Sequence, residues 1–369
     1  MRFWTLLLGI LLTPACIAAT PAPTSALPLN LLHLPPGFTV EIYAYPVPGA
    51  RSLTLGSKGT VFVGSRENGK VYAIVPDASE PYHTRVITLA EGLNSPNGVA
   101  FYQGDLYVAE ISRLLRMDAV EDRLANPPEP IVLKEDLPTE AMHGWRYIGF
   151  NPDGKLYITI GMPCNVCQQS DPRYGTIMRM DPDGSNEEIF VKGVRNSEGM
   201  DWDPINRKLW FTDNGRDWMG DNSPPDKLDS ATKGMNFGFP FYDGAKLPDP
   251  EFGKLASPNA DFTPPTLELP AHVAPLGLRF YSGTMFPDEY RNQILIAEHG
   301  SWNRSTKAGY QILLVTRTGT KVAKTKPFMT GWLQNQNAWG RPVDVLVLRD
   351  GSILISDDLA NVVYRVSYK

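Results

Sequence analysis

The sequence predicts an all-β fold, a six-bladed β-propeller with four-stranded antiparallel blades. Three observations carry this. A strand–turn–strand pattern returns six times, and its period of roughly 40–50 residues is that of propeller blades. In addition, 33 Pro and 32 Gly in 369 residues favour many turns and short strands over long helices. The clearest copy is Ile148-Gly149-Phe150-Asn151-Pro152-Asp153-Gly154-Lys155-Leu156-Tyr157-Ile158, in which a strand, a Gly turn and a second strand follow hairpin grammar. Other copies run from Gly98 into Leu106, Gly199 into Leu209, Leu278 into Ile294 and Val343 into Ile353. A looser one runs from Ser52 to Gly64.

The chain is 42% hydrophobic and 20% charged, with a net charge of -5. That composition is ordinary for a globular protein and gives no reason to expect nucleic acid or an anionic membrane as partner. At the start, Met1-Arg2, an apolar run and Ala18-Ala19 have the layout of a secretory leader. Residues 1–19 are therefore expected to be removed on export, leaving a periplasmic or secreted protein. A lipidated Cys16 is the alternative, although Thr13-Pro14 suits that signal poorly. Residues 20–31 read as a Pro/Ala/Ser/Thr linker and residues 32–369 as the propeller. No later apolar run is long enough to span a bilayer, so no transmembrane segment is expected in the mature chain.

An N-terminal strand at 38–43 is expected to pair with 362–366 in the last blade and close the ring. Leu106, Leu156 and Leu209 are nearly evenly spaced, but the next equivalent, Ile294, is delayed. The excess is a Pro-rich insertion within about 218–274, expected to leave and return near one face of the ring. That face, here called the upper one, should gather the residues just before each first strand and just after each second strand. They include Asn94, Asn97, His143, Arg195-Asn196, His272 and Arg341 on one side of the hairpins. On the other are Arg66-Glu67, Asp213-Asn214-Gly215-Arg216-Asp217, His299, Trp302-Asn303-Arg304 and Asp357-Asp358.

Among these, His143 precedes an inner strand, and an imidazole titrating near neutrality suits proton abstraction from an alcohol. Arg195 and Arg341 could flank an anion with planar forks, or Arg195 could pair with Asp217. The turn from Asp213 to Asp217 offers oxygens to a hard cation or is a simple Asx turn; spacing does not decide between them. Cys164 and Cys167 stand alone as a CxxC pair without a zinc or haem partner. In an oxidising compartment they are expected to form a short disulfide pinning a surface turn.

Taken together, these pieces resemble the soluble PQQ-dependent glucose/sorbosone dehydrogenase family, from about Leu32 to Tyr368. The carriers are His143, Gly193-Val194-Arg195-Asn196-Ser197-Glu198-Gly199, Thr212-Asp213-Asn214-Gly215-Arg216-Asp217 and Asn236-Phe237-Gly238-Phe239-Pro240. Glu298-His299-Gly300-Ser301-Trp302-Asn303-Arg304 and Trp339-Gly340-Arg341-Pro342-Val343-Asp344 resemble the sorbosone branch. The resemblance implies oxidation of a sugar or sugar aldehyde, with His143 as base, PQQ as hydride acceptor and a respiratory quinone or cytochrome taking the electrons. Arg195, Asn196 and Arg341 would hold PQQ, helped by Asn303, Arg304, Trp302 and Asn94. Gly215, Arg216 and Asp213 would bind Ca²⁺. Where glucose-oxidising relatives carry a second arginine and a lysine, this chain has Val343 and no matching lysine.

Two other readings fit a propeller. A Ca²⁺-dependent lactonase or esterase would gather Glu67, Asn94, Asn196 and Asp213 around the ion. A non-enzymatic ligand-binding propeller would use exposed aromatics such as Trp218, Trp302 and Trp339.

Overall fold

In the computed structural model, which describes residues 27–77, 83–245 and 247–369, six four-stranded antiparallel sheets stand around an axis. The expected leader, Cys16 and most of the expected linker lie outside the described residues. Blade 1 comprises Leu53–Leu55, Val61–Val63, Val71–Pro76 and Thr84–Ala90. Blade 2 comprises Gly98–Tyr102, Asp105–Ala109, Leu114–Met117 and Ile131–Lys134. Blade 3 comprises Ile148–Phe150, Leu156–Ile160, Thr176–Met180 and Glu188–Lys192. Blade 4 comprises Gly199–Trp202, Leu209–Asp213, Asp226–Ala231 and Leu267–Leu269. Blade 5 comprises Pro275–Phe280, Ile294–Glu298, Gln311–Thr318 and Lys321–Met329. Blade 6 takes Pro342–Val347, Ile353–Asp357 and Val362–Tyr368 from the C-terminus and Phe38–Ala44 from the N-terminus. No helix among the described residues is long and apolar enough to cross a membrane.

The second strands explain the apolar runs of the repeat. Leu156–Ile160, Leu209–Asp213, Ile294–Glu298 and Ile353–Asp357 are buried at every residue. Each is covered on both faces by neighbouring blades, so alternation gives way to continuous burial. Each first strand starts, and each second strand ends, at the same face: Leu53 pairs with Val63, Gly199 with Thr212 and Pro342 with Asp357. In blades 5 and 6 the register slips just after Pro275 and Pro342, where proline offers the ladder no amide donor.

Ring closure is made twice. Near the axis Leu53–Leu55 packs against Pro342–Val347, and Asp344 Oδ2 accepts the Leu53 amide at 2.9 Å. At the periphery Phe38 pairs with Tyr368 and meets Phe286, Tyr290, Phe328 and Tyr368 edge-on, with centroids 4.7 to 5.2 Å apart. This aromatic knot joins the closing strand of blade 6 to blade 5.

The insertion departs from its expected course. It occupies residues 232–266, between the third and fourth strands of blade 4. The third strand runs away from the upper face, since Ala231 pairs with Leu209, so the excursion leaves and returns at the lower end. It climbs the outer edge of blade 3, where Lys192 N donates to Met235 O and Phe237 N to Lys192 O, at 3.1 and 2.9 Å. Its far end reaches the upper face, where Asp249 and Glu251 pair with Arg216.

Closure by the aromatic knot makes a testable statement. Phe38→Ala should cost about 3 kcal/mol in urea unfolding, and a loss below about 1 kcal/mol would show that the N-terminal strand is not integral to the ring.

Candidate functional site

A cavity of about 310 Å³ opens at the upper end of the axis. Of the candidate catalytic, cofactor-binding and metal-binding residues, His143, Arg195, Asn196, Gly215, Trp302, Asn303 and Arg341 line it. These come from the loops of blades 3, 4, 5 and 6, so the ring brings together groups far apart in the chain.

Others lie elsewhere. Asn94 is exposed, outside the lining, and its carbonyl accepts the Ile111 amide. The Arg216 guanidinium faces Asp249 and Glu251. Arg304 turns sideways to Ala271 O, Thr306 O and Asn222 Oδ1. Asp213 is fully buried. It accepts the amides of Arg195 and Asn196 at 3.0 and 2.8 Å and pairs with Lys227 at 2.7 Å. Its carboxylate thus shapes the loop that carries Arg195. The four side chains of the lactonase reading do not converge: only Asn196 lines the cavity, and Glu67 is almost fully exposed.

Cys164 and Cys167 are disulfide-bonded, and the turn they close serves the cavity. Asn165, inside that turn, accepts Arg195 Nε on its main-chain oxygen at 2.8 Å and Arg195 Nη2 on Oδ1 at 3.0 Å. Arg195 Nη2 also pairs with Asp217 at 2.9 Å, and Nη1 donates to Gly215 O at 2.8 Å. The Arg195 fork, 2% exposed, is therefore engaged along its whole edge by protein oxygens. Its Asp217 pairing was one of the two roles open from the sequence.

Sequence reasoning did not single out Arg51, which is 2% exposed and stands at the head of blade 1. Its Nη2 meets Glu198 at 2.7 Å, Nη1 meets Asp358 at 3.0 Å and Nε donates to Asn97 Oδ1 at 2.8 Å. Glu198 also accepts Asn196 Nδ2 at 2.8 Å, and Asp358 accepts His299 Nε2–H at 2.8 Å. A polar belt thus links the head loops around the axis. The only sequence signal for Arg51 was its place just ahead of an inner strand, in the most degenerate repeat.

His143 has a left-handed backbone, φ 51°. It approaches Gly161 so closely that a Cβ there would lie 2.7 Å from the His143 Cβ. Its Nδ1–H donates to Met162 O at 2.7 Å, which leaves the lone pair on Nε2. Burial, and then the Arg195 guanidinium, lower its pKa from 6.5 to about 4. The imidazole is therefore a neutral acceptor over the whole physiological range.

Two guanidiniums in the cavity differ from Arg195 and Arg51. Arg66 stacks over Trp145 at 3.8 Å, and its buried Nε has no hydrogen-bond partner. Among the described residues its one carboxylate contact is at 3.4 Å, to the exposed Glu67. Arg341 donates Nε and Nη2 to the carbonyls of His299 and Gly300 and makes no ion pair within 4 Å among the described residues. Burial holds both below the usual arginine range, and Arg51 adds to this. An anion entering the cavity would relieve both. A planar, multiply carboxylated ring such as PQQ fits these donors and the indole wall beside them.

Two of the three expected Ca²⁺ ligands are already in use within the protein. The ion takes about six to eight oxygens, whereas Gly215 O already accepts a guanidinium and both Asp213 oxygens are engaged. Asp226 accepts the Gly215 and Ala274 amides at 2.7 and 2.9 Å. No group of three or more His, Cys, Asp or Glu side chains among the described residues could hold a metal.

The family profile described as glucose/sorbosone dehydrogenase matches residues 109–301, and one described as TrAA12-like matches residues 249–368. An uncharacterized protein of Borreliella burgdorferi is 36% identical over 358 residues, 92% of each chain. The aldose sugar dehydrogenase YliI of Escherichia coli is 27% identical over 158 residues, 37% of this chain and 40% of that one. The holo form of the pyranose dehydrogenase PQQ domain of Coprinopsis cinerea has the same fold, with a TM-score of 0.75. Its identity is 19%, and the match covers 91% of this chain and 97% of that one.

The His143 geometry predicts that its ring in the cofactor-free protein titrates near pH 4, observed by its NMR ring-proton shifts. Because the folded value lies below the unfolded one, this histidine makes the fold lose stability as pH falls from 6.5 towards about 4. A titration at or above 6.5 would contradict the buried, Nδ1-protonated arrangement.

Proposed function

The chain belongs to the glucose/sorbosone dehydrogenase family, and from that membership we propose that it is an exported oxidoreductase that binds PQQ in the axial cavity and oxidises an aldose or sugar aldehyde. The observation that carries this reading is the meeting of an unprotonated imidazole nitrogen and two underused guanidiniums in one cavity. A lactonase has no need of those cations. The names of the Escherichia coli and Coprinopsis cinerea proteins, a sugar dehydrogenase and a PQQ domain, support the same reading.

PQQ, when bound, supplies the two-electron acceptor for the hydride that leaves the sugar carbon. His143 Nε2 takes the hydroxyl proton as that carbon is oxidised, while its Nδ1–H bond to Met162 O holds the ring in place. Arg66 and Arg341 would bind the cofactor's carboxylates, and Trp145, under the Arg66 plane, would form an indole wall beside them. Asn196, fixed by Glu198, presents its amide to the same space. Arg195 acts from behind, setting the loop that carries Asn196 and adding positive field. Residues 1–19 direct export, and a quinone or cytochrome then takes the electrons.

The test is to load the purified protein with PQQ, with and without Ca²⁺, and follow dye reduction with aldoses and sugar aldehydes. Wild type should turn over, and His143→Ala should bind PQQ yet lose roughly 10²–10⁴-fold in kcat. Lactone hydrolysis without PQQ, unaffected by the histidine change, would overturn the reading.

A further inference from the structure

Two indoles stand exposed at the cavity mouth. Trp218 is 70% and Trp302 63% exposed, their centroids are 5.2 Å apart, and their planes are near perpendicular. Trp302 lines the cavity; Trp218 lies just outside. Exposing two large rings in contact forfeits the burial that indoles ordinarily gain. Trp218 also holds φ 69°, a conformation costly for a bulky residue and kept only where its surroundings enforce it.

Those surroundings are tied together by hydrogen bonds. Asn303 Nδ2 donates to Asp217 Oδ1 at 2.8 Å, Arg304 Nη2 to Asn222 Oδ1 at 3.3 Å and the Ser305 amide to Asp221 Oδ1 at 3.0 Å. His272 Nε2–H is shared between Gly220 O and Ser223 O at 2.9 and 3.1 Å. These bonds lash the blade 4 head loop to that of blade 5, on either side of the two rings. They also account for Arg304, whose fork braces this rim.

We infer that Trp218 and Trp302 form a stacking platform for the second ring of a reducing disaccharide whose first ring is oxidised in the cavity. The inference rests on the sugar-oxidising reading above and narrows its substrate class. A pyranose presents axial C–H bonds, weakly positive, to the negative face of an indole, while its hydroxyls point outward to polar neighbours. Asp221, Asn222 and Asn303 are such neighbours. The pair offers the face of about one sugar ring, far less than the roughly 800 Å² a protein partner usually covers. With the quinone cofactor bound to accept the hydride, the first ring would lose hydride from its anomeric carbon and its hydroxyl proton to His143, and would become a lactone. The second ring is unchanged.

The test compares glucose with cellobiose and maltose on PQQ-loaded full-length protein, with a dye as acceptor. Trp218→Ala should raise KM for the disaccharides about fivefold, leaving their kcat and both constants for glucose unchanged. Trp218→Phe should restore most of the affinity. Equal effects on glucose and disaccharides, or none, would overturn the platform, as would a loss seen only when a cytochrome replaces the dye. If loaded wild type oxidises no sugar, the functional reading fails, and the platform is then judged by binding alone. Cellobiose should shift the indole N–H signals of Trp218 and Trp302 in wild type, and the Trp302 shift should be lost in Trp218→Ala. Unmoved signals in wild type would refute it.

Discussion

A guanidinium buried on the axis of a ring needs partners from across the ring, and Arg51 has them. It starts from blade 1 and reaches Asn97 at the head of blade 2, Glu198 at the head of blade 4 and Asp358 beyond the second strand of blade 6. A buried charge left without its partner costs several kcal/mol, so these contacts hold only when blades 1, 2, 4 and 6 are seated together. The floor of the cavity and the closure of the propeller are therefore one event. The Leu53–Asp344 bond near the axis and the Phe38 knot at the rim act in the same direction.

That constraint sorts the cavity's arginines by task. Arg51 and Arg195 are saturated by protein oxygens and set geometry and field. Arg66 and Arg341 keep unengaged donors beside an indole and an open cavity. The disulfide turn belongs to the first group, because Asn165 between the two cysteines receives two of the Arg195 donors. Lowering the His143 pKa follows from the same placement, through burial first and the Arg195 charge second.

Much of this was legible in the sequence, because hairpin repeats state which residues reach the upper face. His143, Arg195, Asn196 and Arg341 each lie close before an inner strand, and the structure puts all four on the cavity lining. Arg51 escaped because its repeat lacks the aromatic–x–Asn/Asp–Gly signature, so the frame opened at Ser52, one residue late. Pairings such as His299 with Asp358, 59 residues apart, depend on how blades face one another, which no local pattern encodes. Arg304 is near the site in the chain, but its fork turns to the loop beside it. The insertion's course was misjudged because proline content marks an excursion without saying from which end of a strand it leaves.

The most direct measurement is a crystal structure of the protein with PQQ bound. The expected result is cofactor carboxylates within hydrogen-bond distance of the Arg66 and Arg341 guanidiniums, with Arg195 still joined to Asn165 and Asp217. Carboxylates held instead by an Arg195 released from those partners, with Arg66 and Arg341 turned away, would contradict it.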